Sequence, residues 1–227
     1  MVDIGTISTK RDLEEAVESV GFLPYFKNQI PGFSIEEHVA PRAWFSSEEG
    51  VWEWKGPVIR ETGCAYGKFF RGKAGFISRA CFADFANFRR DGYDFDARWD
   101  DGLASFREKE LYDLIERNCP ALSRDLKKEG DYGKNGKKGF EQLSTELQRK
   151  CYVLISDFRY DVDRDGNRRG WGNAEYATPE QFFGPAFRAS VYAKTPEESL
   201  DAVVCSLMRI SPVFRAGEET VRKWIRA

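Results

Sequence analysis

Eight lysine and arginine residues fall between residues 124 and 150, where five residues are acidic, although the 227-residue chain has a formal net charge of -2. Contact with phosphate groups requires such a local excess of positive charge. The residues predicted to bind DNA are Lys134, Lys137, Lys138, Arg149, Arg164, Arg168 and Arg169. Glu141 and Glu146 lie in the same stretch, so a solvated surface of mixed charge is the alternative interpretation.

A second group of residues combines aromatic rings with charged side chains. Aromatic residues make up 15% of the chain, and rings around convergent charged groups are typical of small-ligand sites. The candidate pocket residues are Trp52, Glu53, Trp54, Tyr66, Lys68, Arg79, Arg89, Arg90 and Asp94. The alternative is that these rings fill the hydrophobic core, with Glu53 exposed on an alternating strand.

Two motifs resemble known phosphate or ion sites, but each lacks a required residue. Residues 67–74 nearly match a Walker A loop, but Ala74 stands where the Mg²⁺-binding hydroxyl is needed. Asp161, Asp163 and Asp165 match the start of an EF-hand loop, but Gly172 occupies the position of its bidentate glutamate. We therefore expect no cofactor and no metal ion, and we assign no catalytic residue.

Histidine and cysteine usage narrows the chemistry further. His38 is the single histidine, which excludes mechanisms that need two, such as HExxH zinc hydrolysis. The five cysteines form no CxxC pair and lie beside apolar residues, so we expect buried free thiols in a reducing compartment. No window approaches the roughly 18 apolar residues of a membrane-spanning helix, so we expect a cytoplasmic protein without a membrane partner.

The elements that position these residues are marked by caps and periodicity. In the first half, Thr9 and Asp12 form a capping-box pattern ahead of an apolar stripe, which predicts a helix ending at Gly21. Four prolines predict irregular structure over 22–60. Glycines at 67, 72 and 75 predict turns within a strand pair over 64–78, and phenylalanines predict a helix over 79–90. The acidic, turn-prone segment 91–96 predicts a boundary between two halves.

The second half has more regular signals. Capping and apolar spacing predict helices over 105–118, 123–130 (capped by Ser123) and 140–147, strands over 151–155 and 171–176, and a turn over 163–167. Thr178-Pro179 and Thr195-Pro196 predict the starts of further helices. A terminal helix carries Val221, Trp224 and Ile225.

Three helices followed by a hairpin is the order of a winged helix-turn-helix. Helix 138–149 would be its recognition helix, 134–138 the loop before that helix, and 164–169 the wing. We therefore predict an α+β fold of tandem winged helix-turn-helix units, mostly helical with small β hairpins. The predicted divisions are 1–102, an aromatic-rich α+β part interpretable as a degenerate winged-helix unit; 103–184, a winged helix-turn-helix; and 185–227, a helical tail that packs back.

Several short motifs occur in the order found in one protein family. They are Trp52-Glu53-Trp54, Gly75-Phe76-Ile77-Ser78, Arg89-Arg90, Leu122-Ser123-Arg124-Asp125-Leu126, the helix Phe140 to Leu147, and Gly170-Trp171 through Thr178-Pro179-Glu180. Over residues 44–182 the chain resembles the AlkZ-like winged-helix DNA glycosylases. Over most of its length it also resembles the short bacterial proteins called AlkZ-related.

The resemblance implies tandem winged-helix units, double-stranded DNA as a partner and a relation to DNA repair. The full-length enzymes carry a Q-Φ-Q or Q-Φ-D element near the N-terminus that positions the hydrolytic water. The nearest match here, Gln29-Ile30-Pro31, has proline at the third position. The resemblance therefore implies that this chain binds DNA, but it assigns no residue of this chain to glycosylase catalysis.

Three hypotheses about function follow. The first is a DNA-binding winged-helix protein, the second an uncharacterised enzyme or ligand-binding domain with a pocket in the 44–100 region, and the third a protein-interaction scaffold. The charge of the 134–169 surface distinguishes the first hypothesis from the third. A continuous positive strip favours DNA, whereas a strip interrupted by acidic residues favours a protein partner.

Overall fold

The computed structural model describes residues 1–44, 49–164 and 168–226 of the chain. Up to residue 100 the elements are α1 (Lys10–Val20), β1 (Phe22–Pro24), α2 (Ile35–His38), α3 (Pro41–Trp44), α4 (Lys55–Thr62), β2 (Ala65–Phe70), β3 (Lys73–Ile77), α5 (Arg79–Arg90) and α6 (Phe95–Asp100). The following elements are α7 (Phe106–Asn118), β4 (Ala121–Leu122), α8 (Ser123–Glu129), α9 (Phe140–Arg149), β5 (Leu154–Val162), β6 (Arg168–Ala177), α10 (Pro179–Phe183), α11 (Pro185–Val191), α12 (Pro196–Leu207), α13 (Ser211–Ala216) and α14 (Glu218–Arg226). The chain thus has the predicted mixed α+β class.

One antiparallel sheet contains all six of these strands, in the order β1-β3-β2-β5-β6-β4. Tyr66 of β2 pairs with Ile155 of β5, so the sheet continues across the segment 91–96. The short β4 lies beside β6, with Ala121 opposite Tyr176. The division of the chain after residue 102 stays a prediction.

The helices with the strongest local signals begin where the sequence predicts. Capping boxes start α1 at Thr9, α7 at Ser105 and α12 at Thr195. The predicted apolar stripe of α1 is buried, and Gly21 ends the helix with a φ of 78°. These predictions are confirmed because each depends on neighbouring residues alone.

The segment 22–60 is more regular than predicted. It contains β1, α2, α3 and α4, although 45–48 lies outside the described residues. Pro41 and Pro57 lie in the first turns of α3 and α4, where the missing N–H has no intrahelical partner. Pro24 lies in β1 at the edge of the sheet, where a strand tolerates proline. The prolines therefore mark the starts and edges of elements.

Two of the three predicted turn glycines instead lie inside strands. Gly67 and Gly75 face each other across the β2–β3 pair, and a Cβ at Gly67 would come within 2.8 Å of the Phe69 ring. Glycine is needed at these positions because aromatic rings cover the backbone. Gly72 does lie in the turn, as predicted, with a φ of 77°.

Three further local predictions are corrected. Ser123 does not cap α8, because the helix already includes it and Leu122 is the N-cap residue. The strand predicted over 151–155 begins only at Leu154, since Cys151 has a φ of 60°. The acidic, turn-prone segment 91–96 includes the first two residues of α6, which begins because the Asp94 carboxylate accepts a hydrogen bond from the Ala97 N–H. The turn residues Asp165, Gly166 and Asn167 lie outside the described residues.

The cysteines are all free, but not all of them are buried. Cys64 and Cys151 are buried, Cys81 and Cys119 are half-buried, and Cys205 is exposed. The prediction of five buried thiols is therefore wrong at Cys205, which lies on the outer face of α12. Among the residues that the structure describes, no helix has the length and apolar character needed to cross a bilayer.

Candidate functional site

The helix α9 is anchored on both of its sides. Phe140 is buried with its ring centroid 5.3 Å from that of Tyr132. On the other side, Gln148 accepts a hydrogen bond from the Lys68 N–H at 3.0 Å, and Lys68 Nζ donates to Thr145 Oγ1 at 3.0 Å. Glu141 and Gln142 are the exposed residues near its N-terminus. Lys68, predicted as a pocket residue, thus holds β2 against α9.

The loop 130–139 before α9 carries three exposed lysines, Lys134, Lys137 and Lys138. Lys137 Nζ lies 2.6 Å from a carboxylate oxygen of Glu110 on α7, and this contact raises the pKa of Lys137. Lys138 Nζ donates to the Gly133 carbonyl at 2.6 Å, and Arg107 donates to the Lys138 carbonyl. Lys134 forms no ion pair with a described residue. The loop is thus held by its own lysines, with Lys134 free to contact a ligand.

The hairpin β5–β6 places further basic residues beyond the helices. Arg164 is exposed and forms no ion pair with a described residue. By backbone register, Arg168 and Arg169 lie opposite Val162 and Asp161 in the ladder. Arg149, at the end of α9, pairs with Glu146 at 3.0 Å. The predicted DNA-binding residues thus come from one loop, one helix end and one hairpin.

Positive and negative groups alternate over this surface. Four ion pairs join its elements: Lys127–Glu141, Arg124–Asp161, Lys137–Glu110 and Lys150–Glu108. The local excess of positive charge in the sequence is therefore largely paired. Because exposed ion pairs contribute at most about 1 kcal/mol each, an incoming phosphate competes with these carboxylates at low cost.

The aromatic candidates lie in a cluster centred on Tyr25. The ring centroids of Trp52 and Tyr66 lie 4.9 and 6.3 Å from that of Tyr25. Trp54 and Tyr66 are 7% and 5% exposed, and Trp52 Nε1 donates to the Trp44 carbonyl. Glu53 accepts a hydrogen bond from the Gly50 N–H at 3.0 Å. Trp54 and Tyr66 thus belong to the core, and the half-buried Trp52 packs against it. The expectation of an exposed Glu53 on a strand is wrong, because Glu53 is half-buried in the turn before α4.

The three candidate arginines have different surroundings. Arg79 is exposed and donates to the Phe183 carbonyl, and Arg89 lies over the Phe85 ring at 5.3 Å. Burial lowers the pKa of Arg89. Arg90 is 1% exposed. The cavities found among the described residues do not unite these arginines with Trp52 and Trp54.

Arg90 is the centre of the most completely built polar site. Its Nε and Nη2 donate to the Cys151 carbonyl at 3.3 and 2.8 Å, and its Nη1 donates to Glu180 Oε1 at 2.6 Å and to the Tyr192 hydroxyl at 2.9 Å. The guanidinium also lies 4.9 Å from the ring centroid of Tyr152. The cation is thus held by four hydrogen bonds, whereas the second carboxylate oxygen of Glu180, Oε2, is buried without a hydrogen-bond partner among the described residues.

A cavity of about 210 Å³ lies beside this buried group. Its lining includes Asp94, Tyr112, Tyr152, Glu180 and Tyr192. Burial raises the pKa of all three tyrosines, so their hydroxyls stay protonated at neutral pH. Asp94 is the one predicted pocket residue in this lining. The cavity therefore offers neutral hydroxyls and carboxylates in one place.

Sequence patterns do not identify Glu180 and the three tyrosines as site residues. They are far apart in the chain, and no local pattern connects them. One signal was available for Arg90: it continues the i, i+4 spacing of Phe82 and Ala86 along the buried face of α5. A charged residue in an apolar stripe indicates a buried partner.

The Walker-like motif lies in a hairpin, whereas Asp165 of the EF-hand-like motif lies outside the described residues. Residues 67–74 form the β2–β3 hairpin, in which bulky side chains occupy the place of a phosphate cradle. Over 1–44, 49–164 and 168–226, no group of three or more His, Cys, Asp or Glu residues is arranged to hold a metal ion. His38 has a structural role, since its ring nitrogens lie 2.9 Å from the Gly5 and Gly32 carbonyls.

Comparison with known proteins gives one match. No curated protein and no solved structure matches the chain. A family model described as AlkZ related matches residues 7–226. The match spans both the aromatic core around Tyr25 and the buried Arg90 site, and it covers far more than the 44–182 region of the motif resemblance. Because nearly the whole chain matches, the protein belongs to the AlkZ-related family.

Proposed function

We propose that this protein binds double-stranded DNA through a winged helix-turn-helix formed by α7, β4, α8, α9 and the β5–β6 hairpin. The observation that carries the proposal is the pairing of β4 with β6, which adds a third strand to the hairpin directly after the first helix. A helix, a short strand, two helices and a hairpin are the parts of a winged helix in their usual order. Membership of the AlkZ-related family supports a role on DNA.

The proposed contact surface consists of the loop 130–139, the N-terminal turn of α9 and the hairpin β5–β6. Lys134, Lys138 and Arg164 are exposed and have no ion-pair partner among the described residues, and of these Lys138 Nζ already donates to loop carbonyls. Lys134 and Arg164 are therefore the cations chosen for the test. Both would contact phosphates directly. Lys137, Lys138, Arg149, Arg168 and Arg169 would add contacts from the same loop, helix and hairpin.

The proposal covers binding and a relation to DNA repair, and it assigns no base-excision step. In the glycosylases that the chain resembles, glutamine and aspartate side chains position the hydrolytic water. Here Pro31 stands at the third position of the nearest segment, and Ile30 is buried. We therefore assign to no described residue the role of positioning a hydrolytic water.

The test is an anisotropy titration of a labelled duplex at several salt concentrations. We expect the wild type to lose affinity as salt rises, with a slope of about -0.9 per phosphate contact. Replacing Lys134 and Arg164 together with glutamine should weaken binding and reduce that slope by about 2. Charge reversal at Lys137/Lys138 or at Arg168/Arg169 should also weaken binding.

The matched control is Arg11→Gln on α1, which removes an exposed, ion-paired arginine outside the proposed surface. It should leave both the affinity and the salt slope unchanged. Wild-type protein that shows no salt-dependent binding to duplex DNA would refute the proposal. The alternating charges around α9 favour a protein-interaction scaffold in that case.

A further inference from the structure

We propose that a surface pocket between β1, the β2–β3 turn and α14 binds a nucleotide, a ligand with an aromatic ring and a phosphate group. The pocket has a volume of about 450 Å³, which is in the usual range for small-ligand sites. None of its lining residues belongs to α7, α8, α9 or the β5–β6 hairpin. The proposal therefore does not depend on duplex binding by those elements.

The floor of this pocket is aromatic. Phe26, Phe70 and Trp224 line it together with Pro24. The rings of Phe70 and Trp224 are stacked, with centroids 5.7 Å apart and an interplanar angle of 18°, and Phe26 is half-buried. Phe70 and Trp224 are buried, at 4% and 2% exposure, so they support the floor from below. The half-buried Phe26 is the lining ring available to stack on a nucleobase, whichever base it is.

The rim of the pocket is positively charged. Lys27, Arg71 and Lys73 line it, all three are exposed, and no carboxylate belongs to the lining. None of the three forms an ion pair with a described residue. Glu36 lies nearby, where its carboxylate accepts a hydrogen bond from the Lys27 backbone N–H at 2.8 Å. Unpaired cations over an aromatic floor fit a ring that carries phosphate.

Arg71 provides an independent observation. Arg71 and Gly72 have φ values of 55° and 77° between the paired residues Phe70 and Lys73, as in a two-residue type I′ turn. The first position of such a turn favours Asn, Asp or Gly. The Arg71 guanidinium forms no hydrogen bond or ion pair with a described residue. The pairing of β2 with β3 accounts for the positive φ. What the turn adds is an exposed guanidinium whose donors are available to a ligand.

The rim also offers an amide for the edge of a base. Gln29 is exposed, and its side chain forms no hydrogen bond with a described residue. By contrast, the neighbouring Asn28 amide donates to the Phe33 carbonyl and accepts from the Ile30 N–H. Asn28 shapes the pocket wall, and Gln29 is available to a ligand as both donor and acceptor.

The test is calorimetric titration of the full chain with AMP, with adenosine and inorganic phosphate as ring-only and phosphate-only probes, and with a single-stranded oligonucleotide. We expect AMP to bind, and each partial probe to bind at least about tenfold more weakly. Binding by the oligonucleotide alone would identify the nucleotide as part of a strand. Either source supports the site if the variants below respond.

Arg71→Asn is the decisive variant, because asparagine adopts a positive φ readily and the turn should fold at least as well. We expect an unchanged or higher melting temperature together with a roughly tenfold loss of AMP or oligonucleotide affinity. Lys73→Gln should show the same loss. The matched control, Lys223→Gln, removes a lysine of α14 outside the lining and should not change binding.

Three results would overturn this proposal: no binding of AMP or oligonucleotide, phosphate binding as tightly as AMP, or full affinity in Arg71→Asn. The variant with Lys134 and Arg164 replaced separates this proposal from the proposed function. It should bind duplex DNA more weakly and keep its affinity for AMP.

Discussion

Replacing Arg90 with methionine is expected to destabilise the fold severely. The guanidinium makes four hydrogen bonds, two to the Cys151 carbonyl and one each to Glu180 and Tyr192. Methionine preserves most of the side-chain length while it removes the charge and every donor. The substitution therefore tests the polar interactions more than the packing.

The magnitude follows from what the substitution leaves behind. The Glu180 side chain is 16% exposed, and its Oε2 already has no hydrogen-bond partner among the described residues. Without Arg90, this carboxylate becomes a buried charge without compensation, which costs about 3–5 kcal/mol of unfolding free energy. The Cys151 carbonyl, also left without its donor, is included in that range.

Urea unfolding followed by tryptophan fluorescence measures this loss. The wild type, Arg90→Met, Glu180→Gln and the double variant form a thermodynamic cycle. The double variant should lose less stability than the two single losses together, by about 1–3 kcal/mol, because each single substitution strands the other partner. The dependence of the unfolding free energy on urea should keep its slope in all four proteins. A loss below about 1 kcal/mol in Arg90→Met, or single losses that add within about 0.5 kcal/mol, would refute this account.

Two further predictions concern the sheet and one buried lysine. Gly75→Ala should cost about 1–3 kcal/mol of unfolding free energy, because its Cβ would lie 2.8 Å from the Leu23 carbonyl oxygen and against the Phe70 ring. The control Gly133→Ala places its Cβ in open space and should change stability by less than about 0.5 kcal/mol. Equal losses for the two variants in urea unfolding would contradict the packing argument. Burial lowers the pKa of Lys55 to about 8 from 10.5, so between these pH values the unfolded chain binds a proton that the folded chain lacks, and the unfolding free energy should rise with pH. Lys55→Met should lack this rise in a pH series of urea unfolding, and identical pH profiles for the two proteins would count against it.

At the candidate site, local sequence patterns predict the elements but not the contacts between them. The sequence predicts that Lys134 and Arg164 lie near one helix and one hairpin, because apolar spacing marks the helix and an Asp-Gly pair marks the hairpin turn. It predicts an excess of positive charge there as well. It does not predict that Lys137 faces Glu110 on another helix, since no local rule connects residues from different elements.

The aromatic residues show the same limit. Composition alone indicates a large apolar core, and Trp52, Trp54 and Tyr66 were candidates for either a core or a pocket. The packing around Tyr25 places them in the core. The aromatic pocket floor forms elsewhere, where Phe26, Phe70 and Trp224 meet from three separate segments of the chain.

By itself, the sequence determined the mixed α+β class, the capped helices α1, α7 and α12, and the absence of two-histidine chemistry. These depend on composition or on residues within a few positions of each other, where capping and apolar spacing act. The tertiary structure alone decided that Arg90 is buried against Glu180, and that most cations around α9 are paired with carboxylates. It also decided that those at the β2–β3 turn have no ion-pair partner among the described residues. Burial and charge pairing depend on which distant segments the fold brings into contact, and local sequence patterns do not predict those contacts.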